Sequence, residues 1–85
     1  MTALTLYGKA GCHLCEEARE VVEAVAAERP LEVEEVDVSL DPGLNARYGE
    51  RIPVIAIDGE EVFELGVSEE ELRAELAGRA AGAGR

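Results

Sequence analysis

The sequence predicts an α/β domain: a four-stranded mixed sheet flanked by helices, in the order β-α-β-α-β-β-α. Three observations predict it. An apolar run, Ala3-Leu4-Thr5-Leu6-Tyr7, passes through a glycine loop into a stretch of helical period and then into a second strand-like run. Pro53-Val54-Ile55-Ala56-Ile57 is almost continuously apolar, as a strand buried on both faces should be. Asp58-Gly59 after it is a strong two-residue hairpin signal.

Each element has its own warrant. In the first strand Leu4 and Leu6 share a face. Gly8-Lys9-Ala10-Gly11 is a flexible loop that lets backbone approach closely. From about His13 to Arg29, Leu14, Ala18, Val21, Val22 and Val25 recur at spacings of three and four, one face of an amphipathic helix. Glutamates fill most of the rest, Arg19 and Glu23 are spaced for an ion pair, and Pro30 stops the helix. Leu31 to Val38 reads as a second strand, with a slip in apolar phase at Glu34-Glu35 that suggests a bulge or twist.

Asp41 is placed to cap a short helix with Pro42 at its first position and Gly49 at its end. Residues 61–65 return antiparallel after the hairpin turn. Ser68 with Glu71 forms a capping-box pattern, opening a last helix whose Leu72 and Leu76 face inward. Strands 1 and 2, joined by a helix, should pair in parallel through a right-handed crossover. Residues 1–77 form one domain, and 78–85, without periodicity, read as a flexible tail.

Composition narrows the function classes. The chain has 85 residues, 47% apolar, with a formal charge of −11. That charge argues against sequence-independent binding to nucleic acid or to anionic membrane, and toward partners with basic patches. No basic-then-apolar leader opens the chain, and no apolar run approaches the roughly 20 residues of a membrane span. Two cysteines are too few for a secreted disulfide framework. A reducing, cytoplasmic setting and a monomer are expected. Many arginines against the single Lys9 fit a heat-adapted source and a biased genome equally well.

The chemistry concentrates in Gly11-Cys12-His13-Leu14-Cys15, which holds both cysteines and the only histidine. Residues three apart on a helix share a face, so the two sulfurs can meet across one turn. Cys12 falls at the helix start, where unpaired N–H groups and the helix dipole stabilise a thiolate. It is expected to titrate below the free-thiol value of about 8.5. Cys15, inside the first turn, should be the more buried sulfur. The expected division of labour is attack by Cys12 on a substrate disulfide, then resolution of the mixed disulfide by Cys15. Lys9 and a protonated His13 would favour the Cys12 thiolate, whereas Glu16 and Glu17 would oppose it.

Blander readings stand beside this one. The cysteines can be small core-facing apolar residues. C-x-x-C is half of a zinc site, but no second Cys or His pair completes it, leaving a metal or cluster shared between chains. Pro53 can simply begin a strand. It can also follow a cis peptide bond that presents the N–H and C=O of Ile52 to an extended substrate. Tyr7 reads as a strand residue packed near the loop, and Tyr48 and Arg51 lie close enough in sequence to Pro53 to flank the site.

Tyr7-Gly-Lys-Ala-Gly-Cys-His-Leu-Cys15, followed by a helix, Tyr48-Gly-Glu-Arg-Ile-Pro-Val54 and Asp58-Gly59, resembles the glutaredoxin-like branch of the thioredoxin-fold superfamily. The likeness spans about residues 3–77 and is nearest the short bacterial glutaredoxin-like proteins. It implies a thioredoxin fold, Cys12 as nucleophile, Cys15 as resolving thiol and Pro53 in cis. Lys9 matches the lysine that glutaredoxins place before the active cysteine, where it assists the thiolate and binds the glutathione carboxylate. The chain departs from the family in two places. His13-Leu14 replaces the usual Pro-Tyr or Pro-Phe, and Leu65-Gly66-Val67-Ser68 retains one glycine of a Gly-Gly pair and lacks the acidic residue that helps hold glutathione.

Together these expectations describe a thiol-disulfide oxidoreductase acting on protein or small-molecule disulfides, with no bound cofactor. Glutathione or a thioredoxin-reductase-like partner would re-reduce it. Lys9, His13, Ile52 and Pro53 are the candidate substrate-binding residues. The rival is a non-catalytic binding module of the same fold, carrying an iron–sulfur cluster between chains or docking partners.

Overall fold

Strand β1 (Thr2–Gly8) is central, and the rest of the chain packs around it in a computed structural model that describes residues 2–82. Helix α1 (His13–Ala26) crosses over to β2 (Leu31–Asp37), which pairs with β1 in parallel. A 3-10 turn (Val38–Leu40) and helix α2 (Pro42–Tyr48) lead to β3 (Val54–Ile57), antiparallel to β1, and to β4 (Glu60–Glu64), antiparallel to β3. Helix α3 (Glu69–Gly82) closes the fold. The sheet order is β2-β1-β3-β4. This is the mixed four-stranded sheet that the sequence predicts.

Both faces of the sheet are covered. Leu4, Leu6, Ile55 and Ile57 pack with Ala18, Val22 and Val25 of α1 and with Leu72 and Leu76 of α3. At the carboxyl end of β1, where Val54 pairs with Tyr7, Val54 joins Cys15, Val38, Tyr48 and Ile52 in a smaller cluster. Every residue of β3 is buried, which is why its sequence shows no alternation. Among the described residues, no helix is long and apolar enough to cross a membrane.

Local chemistry sets the joints as expected. Asp41 caps α2 by accepting from the N–H groups of Gly43 and Leu44 at 2.8 and 3.2 Å. The Ser68–Glu71 box closes reciprocally at 3.0 and 3.1 Å. Asp58 and Gly59 both take positive φ, 51° and 87°, as a tight hairpin of this kind needs.

Four expectations need correction. The pairing of β1 with β2 is continuous from Thr2↔Leu31 to Gly8↔Asp37, so the phase slip at Glu34-Glu35 marks no bulge. β2 is an edge strand, largely exposed, and no buried face enforces its alternation. The irregularity lies instead between β3 and β4, where Ile55 pairs with Phe63 but Ala56 pairs with Glu61.

Helix α1 ends at Ala26, before Arg29, and its inward stripe begins with Cys15 rather than Leu14. Arg19 pairs across to Glu35 of β2 instead of along the helix to Glu23. Helix α3 runs through Gly82, past the boundary expected at residue 77, so the start of the proposed tail is helical. Residues 83–85 of that tail lie outside the described residues.

Candidate functional site

The carboxyl end of β1 delivers the chain through Gly8 and Gly11 to the start of α1. Gly11 has φ of +79°, which a side chain would resist. Cys12 is the N-cap: its backbone is extended, and its Sγ accepts from the N–H of Cys15 at 3.2 Å. The sulfur thus occupies the position that a capping oxygen usually fills, on the positive end of the helix dipole.

Cys12 and Cys15 form a disulfide, with Cα atoms 5.2 Å apart. Their surroundings differ. Cys12 is half-buried at the mouth of the turn, and Cys15 is only 6% exposed, packed with Val38, Tyr48, Ile52 and Val54. One sulfur faces outward and the other is held in the core.

Ile52-Pro53 is cis, as the resemblance implies. Ile52 packs in the cluster that holds Cys15 and against which Cys12 rests, so the cis bond lies beside the sulfurs. The N–H of Leu65 donates to the carbonyls of Arg51 and Pro53 at 3.1 and 2.9 Å, bracketing Ile52. Among the described residues, the N–H and C=O of Ile52 itself have no hydrogen-bond partner.

The other two candidates make no side-chain hydrogen bond to the cysteines among the described residues, although the Lys9 carbonyl accepts from the Cys12 N–H at 3.4 Å. His13 is 87% exposed and turns along the helix to Glu17, with Nε2 3.5 Å from its carboxylate. Lys9 lines a cavity of about 160 Å³ behind Cys15, together with Arg19, Glu35 and Asp37. Asp37 is held below its ordinary carboxylate value by the hydroxyl and N–H of Ser39, with a smaller contribution from the Lys9 charge.

Sequence reasoning placed Tyr7, Tyr48 and Arg51 near the site but not their network. The Tyr7 and Tyr48 rings stack at 4.2 Å between centroids. Arg47 and Arg51 each lie 5.3 Å from the centre of the Tyr48 ring. Glu61 of β4 ties them together, accepting from Arg47, Arg51 and the Tyr48 hydroxyl. Burial, then the bond to Glu61, raises the Tyr48 phenol above its ordinary value. Glu61 gave no sequence signal, because one glutamate among many in a hairpin looks like a solvated residue.

The chain as a whole, rather than this site alone, has counterparts among known proteins. The model of the Glutaredoxin-like domain (DUF836) family matches residues 3–77. The chain belongs to that family. An uncharacterized protein of Mycobacterium tuberculosis is 34% identical over 77 residues, covering 85% of this chain and 79% of its own length. A structural-genomics target from X. campestris superposes with a TM-score of 0.73 at 34% identity, over 88% of this chain and 96% of that one. A thioredoxin variant from Halobacterium salinarum follows at a TM-score of 0.65 and 28% identity, over 86% of this chain and 69% of that one. The fold of this glutaredoxin-like domain is therefore the thioredoxin fold, with its cysteine pair at the start of α1.

Proposed function

We propose that the protein is a thiol-disulfide oxidoreductase in which Cys12 attacks and Cys15 resolves. One observation carries the reading: the two sulfurs are within bonding reach, with one accessible at a helix N-terminus and the other buried. An accessible sulfur held by N–H groups suits a nucleophilic thiolate, and a buried partner is kept from competing for substrate.

In the reduced protein, the Cys12 thiolate attacks one sulfur of a substrate disulfide. A mixed disulfide forms and the first substrate thiolate leaves. Cys15 loses its proton and attacks the Cys12 sulfur. The Cys12–Cys15 disulfide forms, and the second substrate thiolate leaves. Two electrons pass from the protein dithiol to the substrate, which ends as two thiols. A thiol or dithiol reductant, either glutathione or a thioredoxin-reductase-like protein, returns the domain to its starting state. The unpaired N–H and C=O of Ile52 suit backbone pairing with an extended substrate during attack.

Serine substitutions test the assignment. Cys12→Ser should abolish reduction of a disulfide substrate. Cys15→Ser should accumulate a mixed disulfide between Cys12 and substrate, visible as added mass that a reductant removes. Undiminished reduction by Cys12→Ser would overturn the mechanism.

A further inference from the structure

Leu65 stands in the left-handed region, at φ of +65°, and is 56% exposed. Both features cost free energy. A side chain crowds the backbone in that region, and an exposed leucine gains nothing from burial. Its N–H is shared between the carbonyls of Arg51 and Pro53, which fixes the turn. Glycine would serve this conformation without the crowding, and one follows immediately at Gly66. The fold thus holds an apolar side chain in the open, next to the cis bond, where its own packing does not need it. Backbone outliers of this kind gather at ligand contacts.

Leu14 repeats the pattern from another element. It lies between the two cysteines on α1, and it is 48% exposed because Cys15 takes the inward position. One exposed leucine thus stands between the cysteines in sequence, and the other is tied through its N–H to the carbonyls on either side of Ile52.

The surrounding charge is acidic. Arg47 and Arg51 are matched by Glu61, and Arg51 also lies 3.7 Å from Glu64. Arg19 is matched by Glu35. Glu16 and Glu17 are exposed at the start of α1 and Glu50 is exposed next to Arg51; Lys9, just before Cys12, is the exposed cation to set against them, and the whole chain carries −11. A small anionic disulfide meets repulsion here, whereas a cationic chain meets attraction.

We propose that Leu14 and Leu65 are docking contacts for an extended, positively charged segment of a disulfide-bearing protein. An apolar side chain beside the substrate cysteine rests on the leucines. Lys or Arg residues flanking it face the carboxylates, and its backbone pairs with Ile52. This selects a protein disulfide over glutathione disulfide as substrate, and it rests on the thiol-disulfide reading above.

Single-turnover reduction by the pre-reduced protein tests it with three disulfides. One is a lysine-rich peptide with a leucine beside its cysteine, the second the same peptide with each lysine replaced by glutamate, the third glutathione disulfide. Each rate is divided by that of the same disulfide with dithiothreitol. The cationic peptide should react roughly ten-fold or more faster than the other two, and added salt should shrink that advantage. Leu65→Gly should slow the cationic peptide several-fold while raising the thermal midpoint, because it removes the contact and the backbone crowding together. Equal normalised rates for the three disulfides, or an unchanged cationic-peptide rate in Leu65→Gly, would overturn the docking proposal. Failure to reduce any of the three would instead overturn the thiol-disulfide reading on which it stands.

Discussion

Gly8 and Cys15 lie so close that a Cβ on Gly8 would meet the Cys15 sulfur at 3.0 Å and its Cβ at 3.1 Å. The end of β1 and the first turn of α1 are thereby pressed together, and the buried sulfur has a fixed seat. Gly8→Ala should cost about 1–3 kcal/mol of stability by overpacking, since the obstacle lies in the core rather than at a flexible tip. Denaturant unfolding of the oxidised protein measures this. A loss near zero would mean that the strand and helix can separate freely.

The asymmetry of the two sulfurs predicts a second result. In the reduced protein, iodoacetamide should modify Cys12 at least about ten-fold faster than Cys15, because reactivity follows thiolate character and access. Peptide mapping after brief alkylation reads the ratio. Equal labelling would remove the basis for assigning attack to one cysteine and resolution to the other.

Much of this was legible from the chain. Capping by Asp41, the Asp58-Gly59 turn and the Ser68–Glu71 box are short-range chemistry, and the structure places each where its residues indicate. β3 was readable because burial on both faces leaves an unbroken apolar run. Errors arose where tertiary context decides. Leu14 has the spacing of a core residue, yet Cys15 takes that seat because β1 ends against it. The misplaced bulge reflects an edge strand whose exposed residues carry no pattern to read. The pairing of Cys12 with Cys15 was evident from spacing, and the cis bond before Pro53 from family likeness. The Glu61 network and the outward Leu65 depend on contacts between distant segments.

Ser68 supplies a prediction about the last helix. Its hydroxyl accepts from the N–H of Glu71, and the Glu71 carboxylate accepts from the N–H of Ser68. Ser68→Ala removes the cap and should cost ~1 kcal/mol. Leu72 and Leu76 anchor α3 in the core, so the loss should lower the thermal midpoint without abolishing the fold. An unchanged midpoint would show that packing alone holds the helix start.

Glu61 carries a pH dependence whose sign follows from its partners. Burial pushes its carboxyl upward, but hydrogen bonds from Arg51, Arg47 and Tyr48 outweigh that, and the result lies below the ordinary value of 4.5. Folding therefore favours the ionised form. The stability this contributes is complete above the unfolded value and is lost as pH falls through the folded one. Tyr48 has the opposite sign. Burial and the bond to Glu61 hold its phenol above 10.0, so its contribution is complete below that value and lost as pH rises through the folded one. Other carboxylates, including Glu28 and Asp37, are also held low, so acid sensitivity of the wild type alone would not identify Glu61. The difference between wild type and Glu61→Gln isolates it. That gap in thermal midpoint should be constant at neutral pH and close as pH drops below about 4.5. A gap that persists undiminished into strong acid would mean that the glutamate acts by shape and hydrogen bonding, and that its charge is not what holds Arg47, Arg51 and Tyr48 together.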